Sequence, residues 1–274
     1  MPPLLPARLT QQILTYLGVA QAEPDLSFLD LLIEGYGQRV PWESASRIAR
    51  SAQTINPPTM PRWAEEFWDD ALSLGTGGTC FESNWAFFAL LRSLGYTGYL
   101  TINNMHASIG CHTAIIIHLV GSAWVVDAGY PIYAAVPLDP QQATERATPF
   151  MTYQALPTSA GGYQLICAPH PKPYLFDLID RPVDDPTYQL ATTADYGQAG
   201  LFLQQVIINK LVDGVLWRFN SADQPYHLQR FDGGVRTDHA LEGDVAAQLS
   251  VHFAIDASVV TRALAHLARS APPL

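Results

Sequence analysis

The hydrophobic pattern changes period once, near Tyr96, which limits the chain to folds in which a helical half precedes a sheet-rich half. Before that point, apolar residues recur at helical spacing. Thr10 can cap a segment with Ile13, Leu14 and Leu17 on one face, stopped by Gly18. Asp25 or Ser27 can open a second, carrying Phe28, Leu29, Leu32 and Ile33 and stopped by Gly35 and Gly37. A third runs through PRWAEEFWDDALSLG, with Pro61 suited to a first turn, acidic residues behind it and Gly75 as terminator. A fourth spans Cys80 to Leu94 and ends at Gly95. From Tyr96 to about Ile166, the runs YLTIN, TAIIIHLV, AWVVDAGY and YQLIC predict an antiparallel β region, broken by glycine, proline and polar clusters. Gly121-Ser122 is the hairpin candidate, and PHPKP at 169–173 is a stiff connector. FLQQVIIN, VLWRFN and HLQRFD predict further strands. SVVTRALAHLARS predicts a closing helix with Ser258 as cap and Val260, Ala263, Leu264 and Leu267 facing inward. The fold class is α+β, in three sub-regions.

Composition narrows the partners. With 48% hydrophobic and 15% charged residues among 274, the chain is globular rather than disordered. A net charge of −10 and the lack of any lysine- and arginine-rich run argue against nucleic acid or an anionic membrane as partner. Apolar stretches such as AIIIHLV fall far short of the roughly 20 residues of a membrane span. The opening MPPLLPARLTQQILTYLG lacks the pattern of a secretory signal. Cys80, Cys111 and Cys167 are scattered with no CxxC pair, which argues against a disulfide framework or structural zinc and for a reducing compartment, the cytoplasm. His227, His239, His252 and His266 show no ligand spacing, so no metal is assigned.

The chemistry-bearing stretch is GTGGTCFESNW, residues 75–85. A cysteine at a helix start faces unpaired N–H groups and the positive end of the helix dipole, both of which favour thiolate. Gly77 and Gly78 permit a tight turn and leave room above the sulfur, and their amides could hold a developing oxyanion. The competing reading is a small core residue, since free cysteines are among the most often buried. Downstream, His112 opens an apolar strand and Asp127 closes the next. Pairing Val120 with Ala123 puts both on one face but leaves Asp127 two pleats from His112, so a bulge, a different turn or strand shear must close the gap. His112 also reads as a half-buried histidine and Asp127 as a strand-end turn residue. His106 reads as exposed, His118 as packed, and Cys111 as core on the opposite side of the strand.

Taken together, these stretches resemble the arylamine N-acetyltransferases. The family motifs appear in order as Val40-Pro41-Trp42-Glu43, Thr76-Gly77-Gly78-Thr79-Cys80-Phe81-Glu82 continuing through Asn84, a strand led by His112, Trp124-Val125-Val126-Asp127-Ala128-Gly129-Tyr130, and Pro137-Leu138. The resemblance covers nearly the whole chain. It implies a helical bundle (1–96) carrying the nucleophile, an antiparallel β-barrel (97–200) carrying histidine and aspartate, and an α/β lid (201–274), around a catalytic core like that of cysteine proteases and transglutaminases. It implies Cys80 as nucleophile, His112 as base and Asp127 as its orienting group, with Gly78 and Thr79 in oxyanion or positioning roles. Trp42, Glu43, Phe81, Gly129, Tyr130 and Tyr133 are the candidate substrate contacts. Glu43 also reads as a structural hydrogen-bonder, as does Glu82, and the aromatics also read as core. The implied reaction is ping-pong, with acetyl-CoA or another acyl thioester as co-substrate, no permanently bound cofactor and an arylamine- or hydrazine-like acceptor. Related alternatives are an amide synthase fed by an acyl-carrier protein, a thiol hydrolase and an inactive binding relative. Three departures stand out. Thr76 replaces the arginine before the two glycines, removing a cation. Trp42 and Ser44 replace phenylalanine and asparagine. Tyr130-Pro131-Ile132-Tyr133 replaces a glycine-rich coenzyme loop, and proline supplies no N–H to a phosphate.

Overall fold

A computed structural model describes residues 1–53, 56, 59–130, 132–149, 151–170, 172–197 and 200–270. Helix α1 (Ala7–Leu17) buries Leu9, Ile13, Leu14 and Leu17, and ends where Gly18 turns left-handed at φ 74°. It begins after Pro6, earlier than Thr10 predicts, and Thr10 donates its hydroxyl back to the Pro6 carbonyl at 3.2 Å. Helix α2 (Leu26–Arg39) is capped by Asp25, which accepts from the Phe28 N–H at 2.8 Å. It runs through Gly35 and Gly37, where the sequence predicts a stop. These glycines serve close approach instead: a Cβ on Gly35 would lie 2.8 Å from the Leu17 carbonyl oxygen, and one on Gly37 would lie 2.6 Å from the Tyr133 ring.

A two-residue strand β1 (Trp42–Glu43) and a short helix α3 (Ala45–Ser51) follow, neither expected from the pattern. Helix α4 (Ala64–Leu74) starts after Trp63 rather than at Pro61 and ends at left-handed Gly75. Helix α5 (Cys80–Ser93) starts after Thr79 and is buried at every position from Cys80 to Leu91. A helix buried on all sides runs through a core, and α5 does so, contributing Phe81, Trp85, Phe87 and Leu90 to the bundle's interior while Glu82 and Asn84 find polar partners within it.

The antiparallel strands β2 (Thr97–Met105), β3 (Ser108–Leu119), β4 (Ser122–Val126), β5 (Val136–Leu138), β6 (Thr144–Ala147), β7 (Thr152–Pro157), β8 (Tyr163–Ala168) and β9 (Tyr174–Leu178) form one sheet, ordered β5-β4-β3-β2-β9-β8-β7-β6. Its edges approach each other, the Thr144 hydroxyl donating to the Pro137 carbonyl, so the sheet curls into a near-closed barrel around Ile116, Tyr153, Leu165 and Phe176. The connector at 169–173 joins β8 to β9; Pro171 lies outside the described residues.

Helix α6 (Asp185–Ala194) precedes strands β10 (Ile207–Val212), β11 (Val215–Asn220), β12 (His227–Asp232) and β13 (Val235–Ala240), then α7 (Val245–Phe253) and α8 (Ala257–Ser270). Ser258 lies inside α8 rather than capping it. The second sheet is ordered β1-β10-β11-β12-β13, so the early strand β1 forms its edge. Ala45, Ile48 and Ala49 of α3 share a core with Phe219, Phe253 and Val260, while Tyr188 of α6 packs into the bundle. Among the described residues, no helix is long and apolar enough to cross a membrane.

Candidate active site

The loop before α5 is shaped by contacts that only small residues allow. A Cβ on Gly77 would stand 1.7 Å from the Pro41 carbonyl oxygen. Gly78 forms a parallel bridge to Trp42, its carbonyl accepting the Glu43 N–H at 3.2 Å. The Glu43 carboxylate accepts from the Ser46 N–H at 2.8 Å, from the Ser46 hydroxyl, and from the Gly77 N–H at 3.2 Å. Glu43 is therefore an internal brace, with no exposed surface to offer a substrate. Burial pushes its pKa up, against the pull of Arg62 and the Ser46 bonds. The Gly77 amide is likewise already engaged, which removes it from the oxyanion donors the sequence offers. Thr79 does not cap α5 with its side chain; its hydroxyl accepts from Arg47 Nη1 at 2.9 Å.

The gap between His112 and Asp127 closes through a different turn. Leu119 pairs with Ser122, leaving Val120 and Gly121 as a two-residue turn with φ of 47° and 79°. The left-handed pair suits the twist of antiparallel strands, although Val120 is an unusual residue for it. The expected turn at Gly121-Ser122 thus lies one residue earlier. Relative to the expected pairing, the register moves by two: Ile115 opposes Val126, which brings Asp127 a full repeat closer to His112. His112 Nε2 lies 2.6 Å from Asp127 Oδ2, both groups buried. The other oxygen, Oδ1, accepts from Asn84 Nδ2 at 2.9 Å and from the Gly129 and Tyr130 N–H groups at 2.7 and 2.9 Å. That leaves the aspartate little freedom to rotate.

Asn84 sits one turn after Cys80 on the same helix. It also donates to the Thr113 carbonyl at 2.7 Å and accepts the Ala128 N–H at 2.8 Å, fastening α5 to the strand that carries His112 and to the segment after β4 that carries Asp127. Gly129 seals the junction: a Cβ there would lie 2.3 Å from Cys80 Cα and 2.6 Å from Cys80 Cβ. Cys80 is 6% exposed, its Sγ 3.6 Å from the carbonyl oxygen of Cys111, the residue before His112. Cysteine, imidazole and carboxylate are thus gathered at one junction between helix and barrel.

The fixed charges around the sulfur do not favour thiolate. Burial pushes the Cys80 thiol well above its ordinary value, Asp195 and Asp127 push the same way, and Arg47 opposes them. These effects oppose the preference for thiolate that the start of α5 supplies.

Thr76 itself carries no charge, but a cation reaches it from elsewhere in the chain. Arg62, 1% exposed, donates from Nη1 to the Thr76 hydroxyl at 3.2 Å and from Nη2 to the Gly77 carbonyl at 2.6 Å and Glu82 Oε2 at 2.9 Å. Glu82 also accepts the Arg62 N–H at 2.7 Å and the Tyr196 hydroxyl. Burial disfavours the Glu82 charge, but the Arg62 guanidinium together with the hydrogen bonds from Arg62 and Tyr196 holds the carboxylate below its usual range. The Tyr196 ring lies 4.1 Å from the guanidinium carbon of Arg47, and Arg47 Nη1 pairs with Asp195 Oδ2 at 2.6 Å.

The aromatic candidates divide. Tyr130 is 39% exposed, its ring 6.3 Å from that of His112, and Trp42 is half-buried, edge-on to Phe202 at 4.9 Å. Phe81 is core, edge-on to Tyr188 at 5.5 Å, so the structure does not present it to a ligand. Tyr133 lies over Gly37 and lines a small cavity behind Asp127 with Ile33, Tyr36, Phe87 and Ile132. Pro131 lies outside the described residues. Among the alternative histidines, His106 is exposed against Tyr174. His118 is also exposed, near the β3–β4 turn rather than packed. Cys111 is half-buried, not core. Among the described residues, no group of His, Cys, Asp and Glu could hold a metal ion.

In the sequence Asn84 appears within a motif but without a role, and Arg47, Arg62, Asp195 and Tyr196 are missed. Only Asn84 left a signal, its spacing of four from Cys80.

Comparison with known proteins agrees with this architecture. The N-acetyltransferase family model matches residues 25–255. A sequence search of curated proteins finds no match. Among solved structures, the arylamine N-acetyltransferase from Mycobacterium abscessus superposes with a TM-score of 0.77 at 20% identity, over 94% of each chain. The Mycobacterium marinum enzyme in complex with CoA gives 0.79 at 17% identity, over 95% of this chain and 98% of its own. The Bacillus cereus enzyme, described as having a unique Cys-His-Glu triad, gives 0.74 at 17% identity, over 92% and 100%.

Proposed function

Since the chain belongs to the arylamine N-acetyltransferase family, we propose that it moves an acetyl group from acetyl-CoA to an arylamine or hydrazine through a thioester on Cys80. In the first half-reaction, Cys80 Sγ forms a bond to the thioester carbonyl carbon, and its proton passes to His112. The carbon–sulfur bond to coenzyme A breaks, and His112 returns the proton to the departing thiolate. In the second, the amine nitrogen attacks the acyl carbon and gives its proton to His112. Cys80 then leaves as thiolate and regains a proton, releasing the N-acetyl product. Asp127, accepting from His112 on Oδ2, orients the ring and stabilises it when charged. N–H groups in the first turn of α5 and the Gly78–Thr79 loop would stabilise the oxyanion. In this reading residues 1–96 supply the nucleophile, 97–200 the base and its carboxylate, and 201–274 the cover. Trp42 and Tyr130 are the aromatics best exposed to meet an acceptor.

The observation that carries the reading is the 2.6 Å His112–Asp127 pair, fastened by Asn84 and Gly129 to the helix that begins at Cys80. The test is intact-mass analysis after incubation with a panel of acyl thioesters. One acetyl group on Cys80, discharged by added arylamine as the amide, is the expected result. Modification only by a larger acyl donor would move the reading to another thioester. Free acid formed equally with and without amine would make the protein a hydrolase, and no adduct from any donor would reject acyl transfer.

A further inference from the structure

Arg62 lies outside every motif that marks the site, yet its guanidinium spans the nucleophile's position. On one side it holds the Gly77 carbonyl, three residues before Cys80; on the other it holds the Glu82 carboxylate, two residues after. Its own N–H takes the second Glu82 oxygen. Nη1 reaches the Thr76 hydroxyl and, at 3.4 Å, Asp70 Oδ2. Nη2 would stand 3.3 Å from a Cβ on Gly78, so the loop glycine is packed directly against it. Side-chain exposure is 1% for both Arg62 and Glu82, so these bonds form away from bulk water, where geometry is rigid and an unpaired charge is costly.

We propose that Arg62 is a positioning residue for Cys80, its guanidinium fixing the loop and the first turn of α5 on either side of the sulfur. The proposal rests on Cys80 being the nucleophile. Thr76 is small and buried because the Arg62 guanidinium occupies the space beside it, and its hydroxyl serves as an acceptor for that cation. The clamp fixes the spacing between loop carbonyl and helix carboxylate, and hence the direction in which the first turn presents its sulfur. A lysine cannot reproduce it: one ammonium cannot serve the Thr76 hydroxyl, the Gly77 carbonyl and the Glu82 carboxylate in a planar fork.

The experiment follows alkylation of Cys80 by iodoacetamide against pH, with the adduct located by peptide mass spectrometry and Tm recorded alongside. Alkylation needs no acyl donor, so it stays readable even if acetyl transfer proves to be the wrong reaction. Arg62→Lys is expected to alkylate roughly 10-fold more slowly at pH 7, with its pH midpoint displaced, and Arg62→Ala more slowly still. The double variant Arg62→Ala/Thr76→Arg, which returns a guanidinium to the loop, is expected to come back to within about 3-fold of the parent rate. Wild-type rate and pH profile in folded Arg62→Lys would overturn the proposal. So would a double variant that regains Tm but not alkylation, because Arg62 would then be structural only. Should Arg62→Ala not fold, Arg62→Lys and the double variant carry the decision.

Discussion

Gly129→Ala tests the junction on which the site depends. The added methyl would lie 2.3 Å from Cys80 Cα and 2.6 Å from Cys80 Cβ, with Asn84 Nδ2 at 2.8 Å. Ordinary contact begins near 3.4 Å, so helix start and strand end must separate by about 1 Å. Overpacking of this kind costs about 1–3 kcal/mol, a fall in Tm of roughly 2–12 °C for a chain of this size. A displacement of that size between reacting groups slows chemistry by about 10²-fold. Single-turnover acylation of Cys80 should therefore fall about 100-fold at a temperature where the variant is fully folded. Gly162→Ala is the control: its Cβ would also meet a backbone oxygen at 2.3 Å, that of Leu178, but next to β8 in the barrel. It should lose comparable stability while Cys80 reacts at the parent rate. If folded Gly129→Ala acylates as fast as Gly162→Ala, the contact at Cys80 does not set reactivity and the geometric argument fails.

His112→Ala leaves the Cys80 thiol in surroundings that raise its pKa. Alkylation at pH 7 should drop, and its midpoint should move above the ordinary thiol value of about 8.5; an unchanged pH profile would remove His112 from the reaction. Asn84→Ala deletes the bonds to Asp127, Thr113 and Ala128; urea unfolding should show a loss of about 1–3 kcal/mol, with a slower acylation step than stability alone explains. Glu82 titrates below the usual carboxylate range, so its stabilising contribution is present above about pH 4.3 and is lost as pH falls through the depressed folded value. Glu82→Gln should be less stable at pH 7 by about 3–5 kcal/mol, with a smaller further loss on acidification, read from urea midpoints at pH 7 and pH 4.

The sequence exposed those parts of the molecule governed by local chemistry. Periodicity marked α5 and the barrel strands β2, β3, β4 and β8 but not β5, β6, β7 or β9, and the glycines, Cys80, His112 and Asp127 could be set in order. Glycine misled where its role was long-range: Gly35 and Gly37 look like helix stops, but sit in α2 because Leu17 and Tyr133 press against them. The register of β3 on β4 turned on whether Val120 would accept a left-handed φ, a preference its side chain does not advertise. The buried arginines were invisible for a different reason. Arg47 and Arg62 meet Asp195, Tyr196, Thr79 and Glu82 across separations that no local pattern encodes.

Strand β1 has hydrogen-bonded neighbours on both flanks. On one side Trp42 and Glu43 pair with Asn209 and Ile208 of β10; on the other, Trp42 bridges Gly78. The C-terminal sheet and the turn leading to the sulfur are consequently woven into one ribbon. A hinge that swung residues 207–240 outward would have to rip rungs from that ribbon and drag the turn along. The turn before Cys80 is therefore tied to the C-terminal sheet through backbone bonds rather than through side chains alone.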